Sequence, residues 1–192
     1  EILIHIKAAT VTAGDCEIRS LKLVFPLNIA LRIYFGIKQP RDIILGQEFA
    51  GQVVGLGKNV SKFKIGDKVF GTTGFSFGTY AEYICLPESS NDKALITMPE
   101  NSSFDEAAGV PVGGLEALHF FRKSQVHKNE QVLINGAGGS IGTIAIQLFK
   151  NAGAVVTAVD TEKKSDIMRS AGADYVIDYT KVDIFASEQR YD

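Results

Sequence analysis

The feature that most constrains the fold is a glycine-rich segment, GAGGSIG at residues 136–142, set between two periodic patterns. The apolar residues 131–135 predict a strand, and residues 140–152 carry apolar side chains at helical spacing. The pattern continues with a strand at 154–159, a helix at 163–171 and a strand at 175–177, which is typical of a parallel α/β sheet. The first helix is expected to turn one face to the core, formed by Ile141, Ala145, Leu148 and Ala152. Gly153 then follows where a left-handed helix end is needed.

The glycines predict how this segment functions. Their spacing is G-x-x-G-x-x-G, because Ile141 stands where the stricter G-x-G-x-x-G pattern requires glycine. Such a turn lets backbone N–H groups approach a pyrophosphate, and the positive end of the following helix points at the same anion. We therefore predict a dinucleotide site, with a purely structural turn as the alternative. Its predicted residues are Gly136, Gly139, Ser140, Ile141 and Gly142.

The choice of dinucleotide depends on the end of the second strand. Asp160 lies 18 residues after Gly142, where a carboxylate can accept hydrogen bonds from a ribose 2′-hydroxyl and would repel a 2′-phosphate. Lys163 and Lys164 follow at once, and they either attract that phosphate or begin a solvated helix. The residues leave NADH and NADPH open.

The first hundred residues are β-rich. Strands are predicted at 2–8, 49–55, 68–71 and 80–86, separated by turn residues, whereas the apolar stretch 21–39 has no clear pattern. Ser103 and Glu106 then form a capping-box signature that begins helical patterning up to about Lys123. We expect two domains, at 1–100 and 101–192.

Composition excludes several classes of protein. The 192 residues are 45% hydrophobic with a net charge of −2, so the chain has a core and lacks the basic surface that nucleic acid or an anionic membrane requires. No run of roughly 18 apolar residues is present, and the N-terminus does not resemble a signal peptide. Two cysteines, Cys16 and Cys85, favour a reducing, cytoplasmic setting. Because the chain lacks an initiator Met and carries half of a dinucleotide sheet, we expect a fragment or part of a longer chain.

A set of motifs in fixed order carries a family resemblance. They are VTAGD at 11–15, ILGQEFAG at 44–51, FKIGDKVFG at 63–71, GTYAEY at 78–83, the glycine segment followed by AIQL at 145–148, AGAD at 171–174 and VIDY at 176–179. The whole chain resembles the medium-chain dehydrogenase/reductase superfamily, in its zinc-free quinone oxidoreductase-like branch. The resemblance implies a GroES-like β-barrel followed by a Rossmann domain of which only the first half is present.

The resemblance also implies a function. An NAD(P)H-dependent enzyme of this kind transfers hydride to a quinone or to an activated alkene or carbonyl compound, and we expect a homodimer acting on small molecules. Relatives that hold 2′-phosphate do so at the positions of Lys164 and Tyr179, although Asp160 departs from the small residue expected beside them. An alcohol dehydrogenase-like enzyme and a non-catalytic structural or RNA-binding relative are the alternatives.

Zinc is not expected. The ligand positions of zinc-dependent relatives carry Thr12, Gln47 and approximately Val112 here, and zinc prefers thiolate, imidazole or carboxylate. Thr12, Asp15 and Gln47 are instead predicted to orient the substrate by hydrogen bonds. The alternative is a purely structural role, in turns and in the lining of the barrel. An apolar pocket for a planar substrate is predicted from Phe25, Tyr34, Phe35, Phe75 and Phe77, with core packing as the alternative.

Overall fold

The computed structural model describes residues 1–20, 25–37, 44–89, 93–186 and 189–192. They form two compact units, Glu1–Pro111 and Val112–Asp192. Each unit has its own hydrophobic core. The division at 100/101 expected from the sequence stays a prediction, and the units separate after the capped helix rather than before it.

The first unit is built on a five-stranded antiparallel sheet in the order β4-β1-β2-β3-β5. Along β1, Ile2 and Ile4 are fully buried whereas Leu3 between them is exposed, as period-two alternation predicts. The elements in chain order are β1 (Ile2–Ala9), α1 (Ala13–Ser20), α2 (Leu27–Phe35), β2 (Glu48–Leu56), β3 (Lys68–Thr72), β4 (Tyr83–Leu86), β5 (Ala94–Thr97) and α3 (Phe104–Ala108).

Two segments of this unit differ from the sequence-based prediction. The strand predicted at 80–86 begins only at Tyr83, because residues 80–82 follow a bend instead of the sheet. Within the unassigned stretch 21–39, Leu27–Phe35 forms a helix, while residues 21–24 and 38–39 lie outside the described residues.

The capping box at the end of this unit is confirmed. The Ser103 hydroxyl accepts a hydrogen bond from the Glu106 N–H, and the Glu106 carboxylate accepts one from the Ser103 N–H at 2.8 Å. The helical region does not run unbroken to Lys123. It stops at Gly109 and restarts as α4 (Pro111–Ser124), whose first residue is a proline that needs no N–H partner there.

The second unit contains a parallel three-stranded sheet in the order β6-β7-β8. The two crossover segments contain helices, as the alternating pattern predicts. After α4 the elements are β6 (Gln131–Asn135), α5 (Ser140–Asn151), β7 (Val155–Asp160), α6 (Ser165–Ser170) and β8 (Tyr175–Asp178). A 3₁₀ turn at Glu162–Lys164 delays the start of α6 relative to the predicted helix. No described helix is long and apolar enough to cross a membrane.

Helix α5 packs on the sheet through a face that differs from the predicted one. Its buried residues are Gly142, Ala145, Ile146 and Phe149. Of the predicted face, Ala145 is buried and Leu148 packs against the core as expected, but Ile141 is 40% exposed. The buried face includes Gly142, which lies in close contact with the chain before the helix. Gly153 follows the C-cap Ala152 with φ +85, which confirms the predicted left-handed position.

Candidate functional site

The glycine turn connects the carboxyl end of β6 to helix α5. Gly136 has φ +73, a conformation that L side chains rarely adopt, and the space next to its Cα is open. The backbone N–H groups of Gly136 and Ala137 both donate to the Val159 carbonyl oxygen, at 2.9 and 3.0 Å. The turn is thereby fastened to the end of the neighbouring strand β7.

The start of α5 presents backbone donors. Its N-cap is Gly139, and the first bond inside the helix runs from the Thr143 N–H to the Gly139 carbonyl oxygen at 2.9 Å. The N–H groups of Ser140, Ile141 and Gly142 precede this bond, so they have no carbonyl partner within the helix. The helix therefore directs three donors and its positive end toward the space beside the turn.

Gly142 brings helix and turn into contact. A Cβ on Gly142 would lie 2.4 Å from the Ala137 Cα and 2.6 Å from the Gly136 carbonyl oxygen. Only glycine fits this approach. A cavity of about 750 Å³ borders this contact, but most of its wall is formed by α4, β6 and α5, including the core residues Val132 and Phe149. The glycine cradle and the backbone donors at the start of α5 are what suit the pyrophosphate of a dinucleotide.

Asp160 lies at the end of β7 and is only 6% exposed. Its Oδ2 accepts hydrogen bonds from the Gly138 N–H at 3.1 Å and from the Lys164 Nζ at 3.0 Å. Its Oδ1 accepts one from the Thr161 N–H at 2.7 Å. Sequence reasoning left Gly138 out of the predicted site, although the GAGG segment contains it. Gly138 is nevertheless the loop residue bonded to Asp160.

Asp160 remains ionised in this environment. Burial by itself would raise the pKa of the carboxyl group. The hydrogen bonds from the Thr161 N–H, the Lys164 ammonium and the Gly138 N–H outweigh burial, and together they hold the pKa of Asp160 below its ordinary value. The carboxylate and Lys164 thus form an ion pair with little net charge at the tip of β7.

Tyr179 follows β8 and lies at the same edge of the sheet. Its backbone N–H donates to the Asp160 carbonyl oxygen at 3.4 Å, and its side chain is exposed. With Asn135 and Val182 it borders a second cavity, of about 410 Å³. The eight residues predicted to bind the dinucleotide therefore all lie around the carboxyl ends of β6, β7 and β8.

Two of the three predicted substrate residues lie together in the first unit. The Thr12 hydroxyl donates to Asp15 Oδ2 at 2.6 Å, and the Asp15 N–H donates to the Thr12 hydroxyl oxygen at 3.2 Å. This reciprocal pair caps the start of α1. Asp15 is 4% exposed, and its Oδ1 has no hydrogen-bond partner among the described residues. The arrangement serves the helix and also leaves one buried acceptor oxygen.

Tyr80 is a neighbour of this pair that sequence reasoning missed. Its ring lies against Gly46, where a Cβ would come within 2.5 Å of the ring atom Cδ1. Partial burial raises the pKa of Tyr80 to about 12, and the nearby Asp15 carboxylate adds to the effect, although 38% of the residue is exposed. The sequence offered one signal, since Tyr80 belongs to the GTYAEY motif, but that motif was assigned to a strand.

Gln47 has partners of its own. Its side-chain amide donates to the Gly74 carbonyl oxygen at 3.1 Å, and its backbone carbonyl oxygen accepts from the Thr73 N–H at 2.8 Å. Among the predicted aromatic residues, Phe35 contacts both Tyr34 and Phe77, at ring distances of 4.9 and 5.4 Å. The other two, Phe25 and Phe75, are exposed.

Metal ligands do not cluster in the described part of the chain, where no group of three His, Cys, Asp or Glu side chains converges. Glu48, which follows Gln47, is buried and accepts a hydrogen bond from the Thr10 hydroxyl at 2.7 Å. The histidines make local contacts: His5 stacks on Tyr83, and His127 pairs with Glu130.

Comparison with known proteins identifies the family. Residues 1–100 match the alcohol dehydrogenase GroES-like domain. The chain belongs to this family. Curated relatives and solved structures that match the chain include quinone oxidoreductases, in line with the resemblance to the medium-chain dehydrogenase/reductase superfamily that the sequence motifs carry.

Curated relatives match most of the chain. A chloroplastic quinone oxidoreductase of Triphysaria versicolor is 34% identical over 188 residues, which cover 93% of this chain and 52% of the relative. A chloroplastic NADPH-dependent alkenal/one oxidoreductase of Arabidopsis thaliana is 31% identical over 202 residues, covering 100% of this chain and 48% of the relative. The GroES-like chain therefore spans about half the length of these relatives.

Solved structures confirm the predicted fold class. The quinone oxidoreductase from Coxiella burnetii has a TM-score of 0.81 and 32% identity, covering 100% of this chain and 57% of that one. The Escherichia coli quinone oxidoreductase, solved in complex with NADPH, has a TM-score of 0.74 and 29% identity, covering 95% of this chain and 51% of that one. A GroES-like domain followed by part of a parallel Rossmann-type sheet is the fold of this chain.

Proposed function

We propose that the protein to which this chain belongs is an NAD(P)H-dependent oxidoreductase that reduces a quinone or an activated alkene or carbonyl compound. The observation that carries the proposal is the glycine cradle, where Gly142 lets α5 approach the turn and three backbone donors face the adjoining space. Relatives named quinone oxidoreductase and alkenal/one oxidoreductase support the reaction class. In this proposal residues 1–100 form the substrate-binding domain and 101–192 begin the dinucleotide domain.

The bound nicotinamide would supply the hydride, and the chain would hold the rest of the coenzyme. Gly136, Gly139, Ser140, Ile141 and Gly142 would bind the pyrophosphate through backbone donors and close approach. Lys164 and Tyr179 would bind a 2′-phosphate, which makes NADPH the preferred coenzyme. The half-exposed Lys164 side chain and the NADPH named for two relatives support this preference.

Thr12, Asp15 and Gln47 would orient the substrate oxygen, with its proton drawn from water or a hydroxyl group. We propose no catalytic zinc, since the hydroxyl of Thr12 and the amide of Gln47 are poor zinc ligands and each already holds a protein partner. We further propose a homodimer acting on small molecules without nucleic acid or membrane. A cytoplasmic setting fits the two free cysteines, although both plant relatives are chloroplastic.

The test is a steady-state assay on the full-length protein, with NADPH or NADH and a panel of quinones and enones, and with NADP⁺ or NAD⁺ and a panel of alcohols. The proposal expects oxidation of NADPH by quinones or enones. Oxidation of alcohols alone would favour an alcohol dehydrogenase. Tight coenzyme binding without turnover of any substrate would favour a non-catalytic relative instead.

A further inference from the structure

The carboxylate of Asp160 is fully engaged by its own chain. A carboxylate offers about four acceptor positions. Oδ2 receives the Gly138 N–H and the Lys164 ammonium, and Oδ1 receives the Thr161 N–H at 2.7 Å and the Thr161 hydroxyl at 3.4 Å. The side chain is also buried. A ribose hydroxyl therefore finds no open acceptor on Asp160.

The engaged carboxylate ties two parts of the dinucleotide site together. Gly138 belongs to the turn before α5, and Lys164 belongs to the 3₁₀ turn after β7, 26 residues further along the chain. The stem of Lys164 passes directly across Gly138, where a Cβ would lie 2.5 Å from the Lys164 Cδ and 3.1 Å from the Asp160 Oδ2. Loop, carboxylate and lysine are packed as one assembly, which we call the Asp160 clasp.

We propose that Asp160 is a positioning residue that holds the Gly138 N–H and the Lys164 side chain in place, and so sets the affinity for NADH and NADPH alike. This inference rests on the proposed function and replaces the expectation that Asp160 accepts the 2′-hydroxyl and selects NADH. In this arrangement Lys164 still binds the 2′-phosphate of NADPH. An ammonium group has three donors, so it can bond Asp160 and a phosphate at once.

The two readings of Asp160 predict opposite results for NADPH. If Asp160 selects against the 2′-phosphate, its removal tightens NADPH binding and weakens NADH binding. If Asp160 instead holds the clasp together, its removal loosens Gly138 and Lys164, and both coenzymes bind more weakly. Asp160→Asn keeps one acceptor oxygen, for either Gly138 or Thr161, and lies between the wild type and Asp160→Ala for both coenzymes.

The experiment measures dissociation constants of NADH and NADPH for the full-length wild type, Asp160→Ala, Asp160→Asn and Asp166→Ala. The last variant is a matched control, because it removes an exposed aspartate of α6 that belongs to no predicted site. We expect Asp160→Ala to raise both constants about tenfold. We expect the control to leave them unchanged. Amide hydrogen exchange at Gly138, followed by NMR without coenzyme, is expected to accelerate in Asp160→Ala and less so in Asp160→Asn.

Tighter binding of NADPH by Asp160→Ala would overturn the proposed role of Asp160. An unchanged rate of amide hydrogen exchange at Gly138 would overturn it as well. Failure of the proposed function looks different, since the wild type would then bind neither coenzyme. The exchange rate at Gly138 still decides the clasp in that event, because it needs no ligand. Thermal unfolding of each variant shows whether a lost affinity reflects a lost fold.

Discussion

Lys164 is the residue at which coenzyme preference can be tested most directly. Its ammonium is paired with Asp160, and its side chain is 47% exposed. Lys164→Met keeps most of the stem that covers Gly138 and removes the charge. We expect the NADPH dissociation constant to rise about tenfold, as for the loss of one charged hydrogen bond to phosphate. The NADH constant is expected to stay within about twofold.

Fluorescence titration with both coenzymes measures this effect, and Lys58→Met, which removes an exposed lysine of the first unit, serves as the control. An equal loss for NADH and NADPH would show that Lys164 does not contact the 2′-phosphate.

Single residues could be predicted where a local pattern defines them. Gly136, Gly139, Gly142 and Lys164 follow from spacing and from the family resemblance. Tyr80 and Gly138 do not, because their importance comes from partners far along the chain. Tyr80 lies against Gly46 and beside Asp15, and Gly138 bonds Asp160, 22 residues away. Periodicity describes one segment at a time and carries no information on such pairs.

At the level of elements, the contact of α5 with the glycine turn is the tightest one in the predicted site. Gly142→Ala would place a Cβ 2.4 Å from the Ala137 Cα, and neither backbone segment can give way easily. We expect the free energy of unfolding to fall by about 2 kcal/mol, within the range for overpacking, although alanine favours the helix itself. Urea unfolding of the full-length protein measures the change.

Gly139→Ala is the matched control for that variant. A Cβ on Gly139 would meet the Gly136 carbonyl oxygen at 3.5 Å, an ordinary contact, and φ is −91. The expected cost is about 0.5 kcal/mol, because alanine is a poorer N-cap than glycine. An equal loss of unfolding free energy in the two variants would mean that close packing of α5 on the turn does not explain the glycine at position 142.

The bounds of elements were predicted best where one rule decides them. Strand β6 matches its predicted range of 131–135, and Ser103 and Glu106 begin α3 as expected. The start of α6 was predicted two residues early, because a 3₁₀ turn precedes it. Helix α2 was not predicted, since seven of its nine residues are apolar and they mark no single face; in the structure Leu31 and Phe35 are partly buried and the other large apolar side chains are exposed.

At the scale of the whole molecule, we expect acid to destabilise the second unit by protonating carboxylates that are partly buried and ion-paired. Asp174 accepts hydrogen bonds from the Lys150 Nζ at 2.7 Å and from the Val156 N–H at 2.7 Å. Burial opposes ionisation, but these bonds outweigh it and lower the pKa of Asp174. A lowered folded pKa adds stability above the unfolded value of about 3.9, and that stability is lost as the pH falls through the folded value.

Asp174→Asn is therefore expected to lower the free energy of unfolding by about 1 kcal/mol at neutral pH, the size of a partly exposed charged hydrogen bond. The difference from the wild type should shrink below about pH 4. Amide exchange in β7, compared with exchange in β1 of the other unit, reports the change. If the difference in unfolding free energy between Asp174→Asn and the wild type were the same at all pH values, the charge of Asp174 would contribute nothing to stability.

The order of the two units could be predicted as a whole. A β-rich half followed by an alternating half is visible in the sequence, and the family motifs run through both. The division after Pro111 was not visible, because α3 packs on β1 and β2 of the first unit. The helical pattern of α3 does not indicate which of the two hydrophobic cores the helix packs against.

The Asp160 clasp also limits how sequences of this kind can diverge. Any side chain at position 138 would collide with the stem of Lys164, and any loss of the carboxylate at 160 leaves both the lysine and the glycine N–H without their acceptor. In this chain, a relative's residue at one of these three positions is therefore expected to be tolerated only when the contacts of the other two are adjusted with it.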